Sequence, residues 1–183
     1  FVPASLNLAR MEIASRSYDA ATIRLADIIK TDPKNVEAIF EMATIADRQG
    51  KPAEAIGWLD KANKLSGPRE LRWGLALSDY QLRHGNAGPA LDAAKDVSAK
   101  QPENLAVLLA LARAQLANND AAGAKSSLTA ATRLADYNPG LQAQIAQLQL
   151  GARNIPGATY SLQKALSKQG DFVPALALMA EID

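Results

Sequence analysis

One histidine, His84, is the only imidazole this sequence offers for proton transfer or metal ligation. Either role needs convergent partners. His84 sits in HGNAGP (84–89), a turn sequence between two apolar-periodic segments, where an exposed turn imidazole is expected. There is no cysteine, which removes thiolate nucleophiles, disulfides and sulfur ligation together. No nucleophile elbow, phosphate-binding loop, HExxH pair or dinucleotide fingerprint is present. GARNIPG (151–157) and GNAGP (85–89) contain glycines, but they join helical segments and lack the strand–turn–helix setting of phosphate binding. The acidic residues are scattered, with no catalytic pair. The expectation is a chain without enzymatic chemistry, cofactor or metal.

The elements that would position any functional side chain are helical. Alanine, the strongest helix former, occurs 37 times, and aromatics make up only 5%. Runs such as LAVLLALARAQLANNDAAGAKSSL leave little room for strands. Lysine plus arginine total 20 against 19 for aspartate plus glutamate, so no global field steers the chain toward nucleic acid or anionic lipid. Basic residues form no run and do not interleave with aromatics, so nucleic acid is not an expected partner. No apolar stretch approaches the length of a membrane span without an interrupting charge or strongly polar residue, so direct membrane insertion is not expected.

The string FVPA occurs at residues 1–4 and again at 172–175, 171 residues apart, which is five periods of 34 plus one residue. Repeats laid at 2–35, 36–70, 71–104, 105–138 and 139–172, with a partial one at 173–183, bring the small and apolar positions into register. The second carries the extra residue near SGPRE (66–70). The seventh place of each repeat is Leu8, Met42, Leu77, Leu111, Ile145 and Met179, followed by Ala9, Ala43, Ser78, Ala112, Ala146 and Ala180. The twentieth is Ala21, Ala55, Ala90, Ala124 and Ala158. Four residues on come Leu25, Leu59, Ala94, Leu128 and Leu162. Small residues at the eighth and twentieth places let two antiparallel helices approach closely, and the large neighbours fill the remaining volume. Turns are expected at RSYD (16–19), QGKP (49–52), HGNAGP (84–89), NNDAAG (118–123) and RNIPG (153–157). Asn35, Asn104 and Asn138 occupy one equivalent place before a helix, where the amide can cap orphan N–H groups. Phe1 and Phe172 stand there before the first repeat and the partial last one, with Pro3 and Pro174 in the first turn that follows.

This pattern resembles the tetratricopeptide repeat (TPR). Its first helix carries a large then a small residue, its second an alanine, a bulky residue and an alanine, and a proline closes the unit. The family's early tryptophan is not in its usual place, although Trp73 lies one residue away, and the closing proline is plain only at Pro33 and Pro102. The resemblance implies an all-α, right-handed superhelical solenoid of five antiparallel helix pairs and a terminal helix, as a single array over 1–183. It also implies a concave groove for a protein or peptide ligand, lined by the first helix of each repeat. Carried over place by place, the lining becomes Leu6, Asn7, Arg10, Phe40, Glu41, Thr44, Arg48, Leu75, Asp79, Arg83, Leu109, Arg113, Gln144 and Gln147. The same places in the first helices add Glu37, Asp47, Arg72, Leu82 and Leu116. On such a groove Phe40 can anchor a peptide or pack between adjacent helices. Arg10, Arg48, Arg83 and Arg113 can pair with ligand carboxylates, or locally with Glu37, Glu41, Asp47 and Asp79.

Two known groove chemistries of the family are not reproduced. Leu6 and Arg10 stand where a chaperone-binding carboxylate clamp places Lys and Asn, and the asparagine ladder of the protein-glycosylating superhelix becomes Asn7, Glu41, Ala76, Ala110 and Gln144. FVPASLNLARMEIA, LQAQIAQLQLGARN and SLQKAL followed by FVPALALMAEI resemble the TPR lipoproteins of the bacterial PEP-CTERM/exosortase system. That resemblance implies a periplasmic, lipid-anchored scaffold serving exopolysaccharide export and envelope protein sorting; a cytosolic adaptor or co-chaperone, or the regulatory arm of a larger enzyme, stands as the alternative. With Phe1 first and EID last, the chain is read as an excerpt of a longer protein, its lipid-bearing cysteine upstream.

Overall fold

The structure is a computed structural model that describes residues 2–182, so the expectation on Phe1 lies outside the described residues. Among the described residues there are eleven α-helices and no strand. They are α1 (Val2–Ala14), α2 (Tyr18–Thr31), α3 (Val36–Arg48), α4 (Pro52–Leu65), α5 (Arg72–Arg83), α6 (Ala87–Lys100), α7 (Leu105–Ala117), α8 (Ala121–Leu134), α9 (Pro139–Gly151), α10 (Ile155–Lys168) and α11 (Val173–Ala180). Each complete repeat supplies two helices, and every break within a pair falls on an expected turn. Among the described residues no helix is long and apolar enough to cross a membrane.

The helices stop where the local chemistry says they should. Asn35 accepts a hydrogen bond from the Ala38 amide at 3.0 Å, Asn104 from Ala106 and Val107, and Asn138 from Leu141. Each therefore satisfies donors that the first helical turn leaves orphaned. Phe172 makes no such bond; its ring packs instead beside Leu162, Ala165 and Ala175. Within the hairpins, the second residue after the first helix adopts the left-handed conformation at five equivalent places: Arg16, Gly50, Gly85, Asn119 and Arg153, with φ of 61°, 70°, 76°, 59° and 54°. The next amide then reaches back five residues, as Ser17 to Glu12, Lys51 to Ala46, Asp120 to Gln115 and Asn154 to Gln149. This 6→1 bond closes the helix end by occupying a carbonyl that has no partner within the helix.

The described residues form two compact units that meet in sequence at His84/Gly85, so the third repeat contributes α5 to the first and α6 to the second. In the first unit α1 packs on α2 and α3, α2 on α3, and α4 on α3 and α5. Ala9, Ala21, Leu25, Ala55 and Leu59 lie at these crossings, exposed by 4% or less. In the second unit α7, α9 and α11 lie side by side, with α8 and α10 packed against them. Ala90, Ala112, Ala124, Ala146 and Ala158 have no exposed surface at all, which is what close helix approach requires of those places. Two expected packing residues stand outside the core. Leu8 is 43% exposed because the neighbours of α1 cover Leu6, Ala9 and Ile13 and leave its own face open. Ala180, at the end of α11, is also exposed.

Candidate functional site

The side chains that meet across α1, α3 and α5 all belong to the first unit. Arg10 on α1 donates to Glu41 at 2.6 Å and to Glu37 at 2.5 Å, both on α3. Glu37 also accepts from Arg72 of α5 at 2.5 Å, so one carboxylate joins two guanidinium groups across three helices. Hydrogen bonds from Arg72 and then Arg10 hold the Glu37 carboxyl below the ordinary carboxylate range, against a smaller opposing effect of burial. Bonds to Glu41 and Glu37 raise Arg10 correspondingly. Beside this network the Arg72 guanidinium lies 3.8 Å from the Trp73 ring centre, and Trp73 meets Phe40 at 4.7 Å. Cation, indole and phenyl thus form a continuous stack, with Trp73 only 4% exposed.

Next to the stack, an open hollow of about 150 Å³ lies between α3 and α5. Its floor is Phe40, Ala43, Leu59 and Ala76. Thr44, Asp47, Asp79, Tyr80 and Arg83 form its rim. Phe40 and Ala76 also border a second hollow, of about 270 Å³, beneath Arg10, Glu37 and Arg72, so two adjoining hollows line a groove along the α3/α5 seam. Tyr80 donates its hydroxyl to Asp47 Oδ1 at 2.8 Å, and Arg83 Nε donates to Asp79 at 3.1 Å. Burial, reinforced by the bond to Asp47, pushes the Tyr80 hydroxyl up to about 12.

The expected lining residues divide between the units. In the first, Phe40, Thr44, Asp79 and Arg83 border the hollow, and Arg10 and Glu41 border the second one. Of the two roles open to Phe40, packing between helices is met at Trp73, and its half-buried side chain also borders both hollows. Asn7 is exposed on α1 and Leu75 half-buried on α5. Arg48 points to the C-terminal end of α1, where it donates to the Ile13 carbonyl at 3.3 Å. Leu6 does not line a surface. It is 9% exposed and packed with Ala9, Ile13 and Leu25, since its place on α1 faces the first hairpin's own core. In the second unit Leu109 is buried for the same reason, among Leu108, Ala112 and Leu128, whereas Arg113 and Gln147 are exposed and Gln144 is half-buried.

Three of the four arginines therefore meet groups of the chain itself. Local pairing with the acidic residues, one of the two roles open to them, holds for Arg10 and Arg83, whereas Arg48 meets a backbone carbonyl instead. Sequence reasoning missed Trp73 and Tyr80 as parts of the site, because both lie on the core side of α5 by repeat position.

By sequence the chain matches no protein-family model and no curated protein. By structure it resembles MamA of Desulfovibrio magneticus RS-1 with a TM-score of 0.69 at 15% identity, over 93% of this chain and 96% of that one. YrrB, a TPR protein with an unusual peptide-binding site, matches with a TM-score of 0.68 at 14% identity, over 96% and 90%. The fold is the TPR fold. PilF of Pseudomonas aeruginosa matches with a TM-score of 0.68 at 19% identity, over 98% of this chain and 82% of that one. At such identities the TPR likeness covers the path of the chain, and the side chains of the groove must be read on their own terms.

Proposed function

We propose that this TPR chain is a non-catalytic scaffold for protein–protein interaction, and that the α3/α5 groove of its first unit receives a segment of a partner. The observation that carries this is the groove itself: an open channel with an apolar floor at Phe40 and Ala76, bordered by polar and charged side chains. A floor that takes apolar atoms, beside polar groups that orient them, is the anatomy of a recognition surface. YrrB, with its peptide-binding site on the same fold, supports the reading by analogy. The test is capture from native cells by the wild-type chain and by Ala76→Phe, which fills both hollows, after matched thermal melts show that both fold. Loss of a specific partner from the variant supports the reading. Equal recovery of the same partners by both proteins overturns it.

We place this scaffold in a bacterial envelope, as a periplasmic, lipid-anchored component of exopolysaccharide export and protein sorting. The support is the likeness of FVPASLNLARMEIA, LQAQIAQLQLGARN and FVPALALMAEI to the TPR lipoproteins of the PEP-CTERM/exosortase system. The reading frame around this sequence tests it. A secretion signal followed by a lipid-acceptor cysteine supports the envelope, whereas a frame without one points to a cytosolic adaptor or co-chaperone.

A further inference from the structure

We propose that the hollow between α3 and α5 selects a basic side chain, so that the groove's partner is an extended peptide segment presenting lysine or arginine. The inference rests on the peptide-binding reading above and names the chemistry of its ligand.

Charge around the groove is arranged against an anionic ligand. Arg10 is held by Glu41 and Glu37, Arg72 by Glu37, and Arg83 by Asp79. A carboxylate arriving at any of them competes with an ion pair already made. At the hollow the balance favours a cation, because two carboxylates, Asp47 and Asp79, face a single guanidinium, Arg83. That guanidinium is bonded to Asp79 and lies 5.1 Å from the centre of the Tyr80 ring. Asp47 is exposed, and Tyr80 occupies its Oδ1 only. The tyrosine bond orients the carboxylate at the mouth without neutralising it.

Shape agrees with charge. Beneath the carboxylates lie Phe40, Leu59 and Ala76, with space of about 150 Å³ that admits one long side chain. A lysine or arginine matches both parts, its methylene stem lying on the apolar floor and its cationic head reaching Asp47. A wholly apolar side chain uses the floor alone, and an acidic one meets like charge at the mouth.

The experiment titrates the intact chain, labelled with ¹⁵N, with three peptides Gly-Ser-Ala-X-Ala-Ser-Gly blocked at both ends, where X is lysine, norleucine or glutamate. Amide shifts at Phe40, Asp47 and Tyr80 report occupancy of the hollow. The lysine peptide is expected to bind about tenfold more tightly than the norleucine peptide, as one charge-assisted bond allows, and the preference should weaken as salt is raised. Asp47→Asn keeps an acceptor for Tyr80 and should reduce the preference to about twofold or less. Arg83→Gln removes the one cation and frees Asp79, so it should strengthen lysine binding; an arginine track for carboxylates predicts the reverse sign. Equal affinity for norleucine and lysine, or tighter binding of glutamate, overturns the charge inference while leaving the groove a peptide site. Absence of shifts at these amides with all three peptides overturns the peptide-binding reading and the inference together.

Discussion

Tyr80 joins the stability of the first unit to pH in the alkaline range. Its ring is 4% exposed and its hydroxyl donates to Asp47 at 2.8 Å, tying α5 to α3 beside the hollow. Ionising this phenol would set a buried phenolate against a carboxylate, so the folded chain holds the proton up to about pH 12 against 10 for the free side chain. The native state then binds more protons than the unfolded chain between those values, and stability falls as pH rises through them. The contribution is fully present below pH 10. By linkage about 1.4 kcal/mol of it is gone at pH 11, and about 2.7 kcal/mol once pH is well above 12. Tyr80→Phe removes the hydroxyl and that whole dependence. At neutral pH it should cost only about 0.5–1.5 kcal/mol, since Asp47 is exposed and water can replace the lost donor. The variant and the wild type should therefore become about equally stable near pH 11, and at higher pH the variant should be the more stable. Urea unfolding of both proteins at pH 7 and pH 11 measures the crossing, and lysine deprotonation, common to both, cancels in the difference. Phenolate absorbance of the wild type minus that of the variant gives the Tyr80 midpoint directly. A midpoint near 10, or parallel loss of stability in the two proteins, would refute the burial argument.

Further outcomes follow from the packing and the charges. Ala90→Leu and Ala124→Leu place a large side chain where no surface is exposed, and each should cost about 1–3 kcal/mol in thermal or urea unfolding; unchanged melts for both would mean the repeat register is wrong. Ser161→Ala strips a buried hydroxyl bonded to Gln149 at 2.9 Å and should cost about 1–3 kcal/mol, whereas Ser127→Ala, one repeat earlier and bonded to the half-buried Gln115, should cost less. Arg153→Gly relieves a left-handed residue at φ 54° and should leave stability unchanged or raise it by up to about 1 kcal/mol, while Arg153→Val should lower it. Glu37, whose carboxyl is held low by Arg72 and Arg10, contributes stability above pH 4.5 that is lost as pH falls through its lower folded value. Because its side chain is 39% exposed, Glu37→Gln should flatten that acid slope by less than about 1 kcal/mol in urea unfolding at pH 3 against pH 7.

What could be read from the residues alone was whatever repeats. The alanines at the twentieth place and the leucines four residues later recur because each hairpin solves the same packing problem, so their period exposes helices, turns and core together. The pairing across the hairpin in three of the five complete repeats was not legible in that way. Its eleventh and twenty-third places hold Glu12 with Arg24, bonded at 2.7 Å and 3.0 Å, then Gln115 with Ser127 at 2.8 Å and Gln149 with Ser161 at 2.9 Å. Ion pair and amide–hydroxyl pair satisfy the same geometric need with different chemistry, so no residue type recurs to mark it. The lining was legible in part: place in the repeat found Phe40, Asp79 and Arg83, but it could not distinguish an arginine open to a ligand from one held by Glu37 or Asp79. For Arg10 and Arg72 that distinction depends on side chains more than 25 residues apart in sequence, and for Arg83 on a partner one helical turn away.

The residues that missed the pattern carry the more specific information. Asp47 stands at a place held by Ile13, Leu82, Leu116 and Leu150 in the other complete repeats, and Tyr80 at one held by Met11, Ile45, Ala114 and Leu148. Each alone is a polar group set into an apolar column, which ordinarily weakens a helix contact. They occur in adjacent repeats, and they bond to each other across α3 and α5. The two departures compensate one another, and the place where they do so is the rim of the hollow. Trp73 fits the same logic: it replaces the small or aliphatic residue of the other repeats and is contacted by Phe40 and Arg72. In a repeat array the shared residues hold the frame, and they are by construction the same wherever the frame is used. Selectivity for one ligand has to come from departures, and departures survive folding only when a neighbour satisfies them. The paired departures of Asp47 and Tyr80 are therefore the feature of the first unit on which the proposed selectivity for a cation rests.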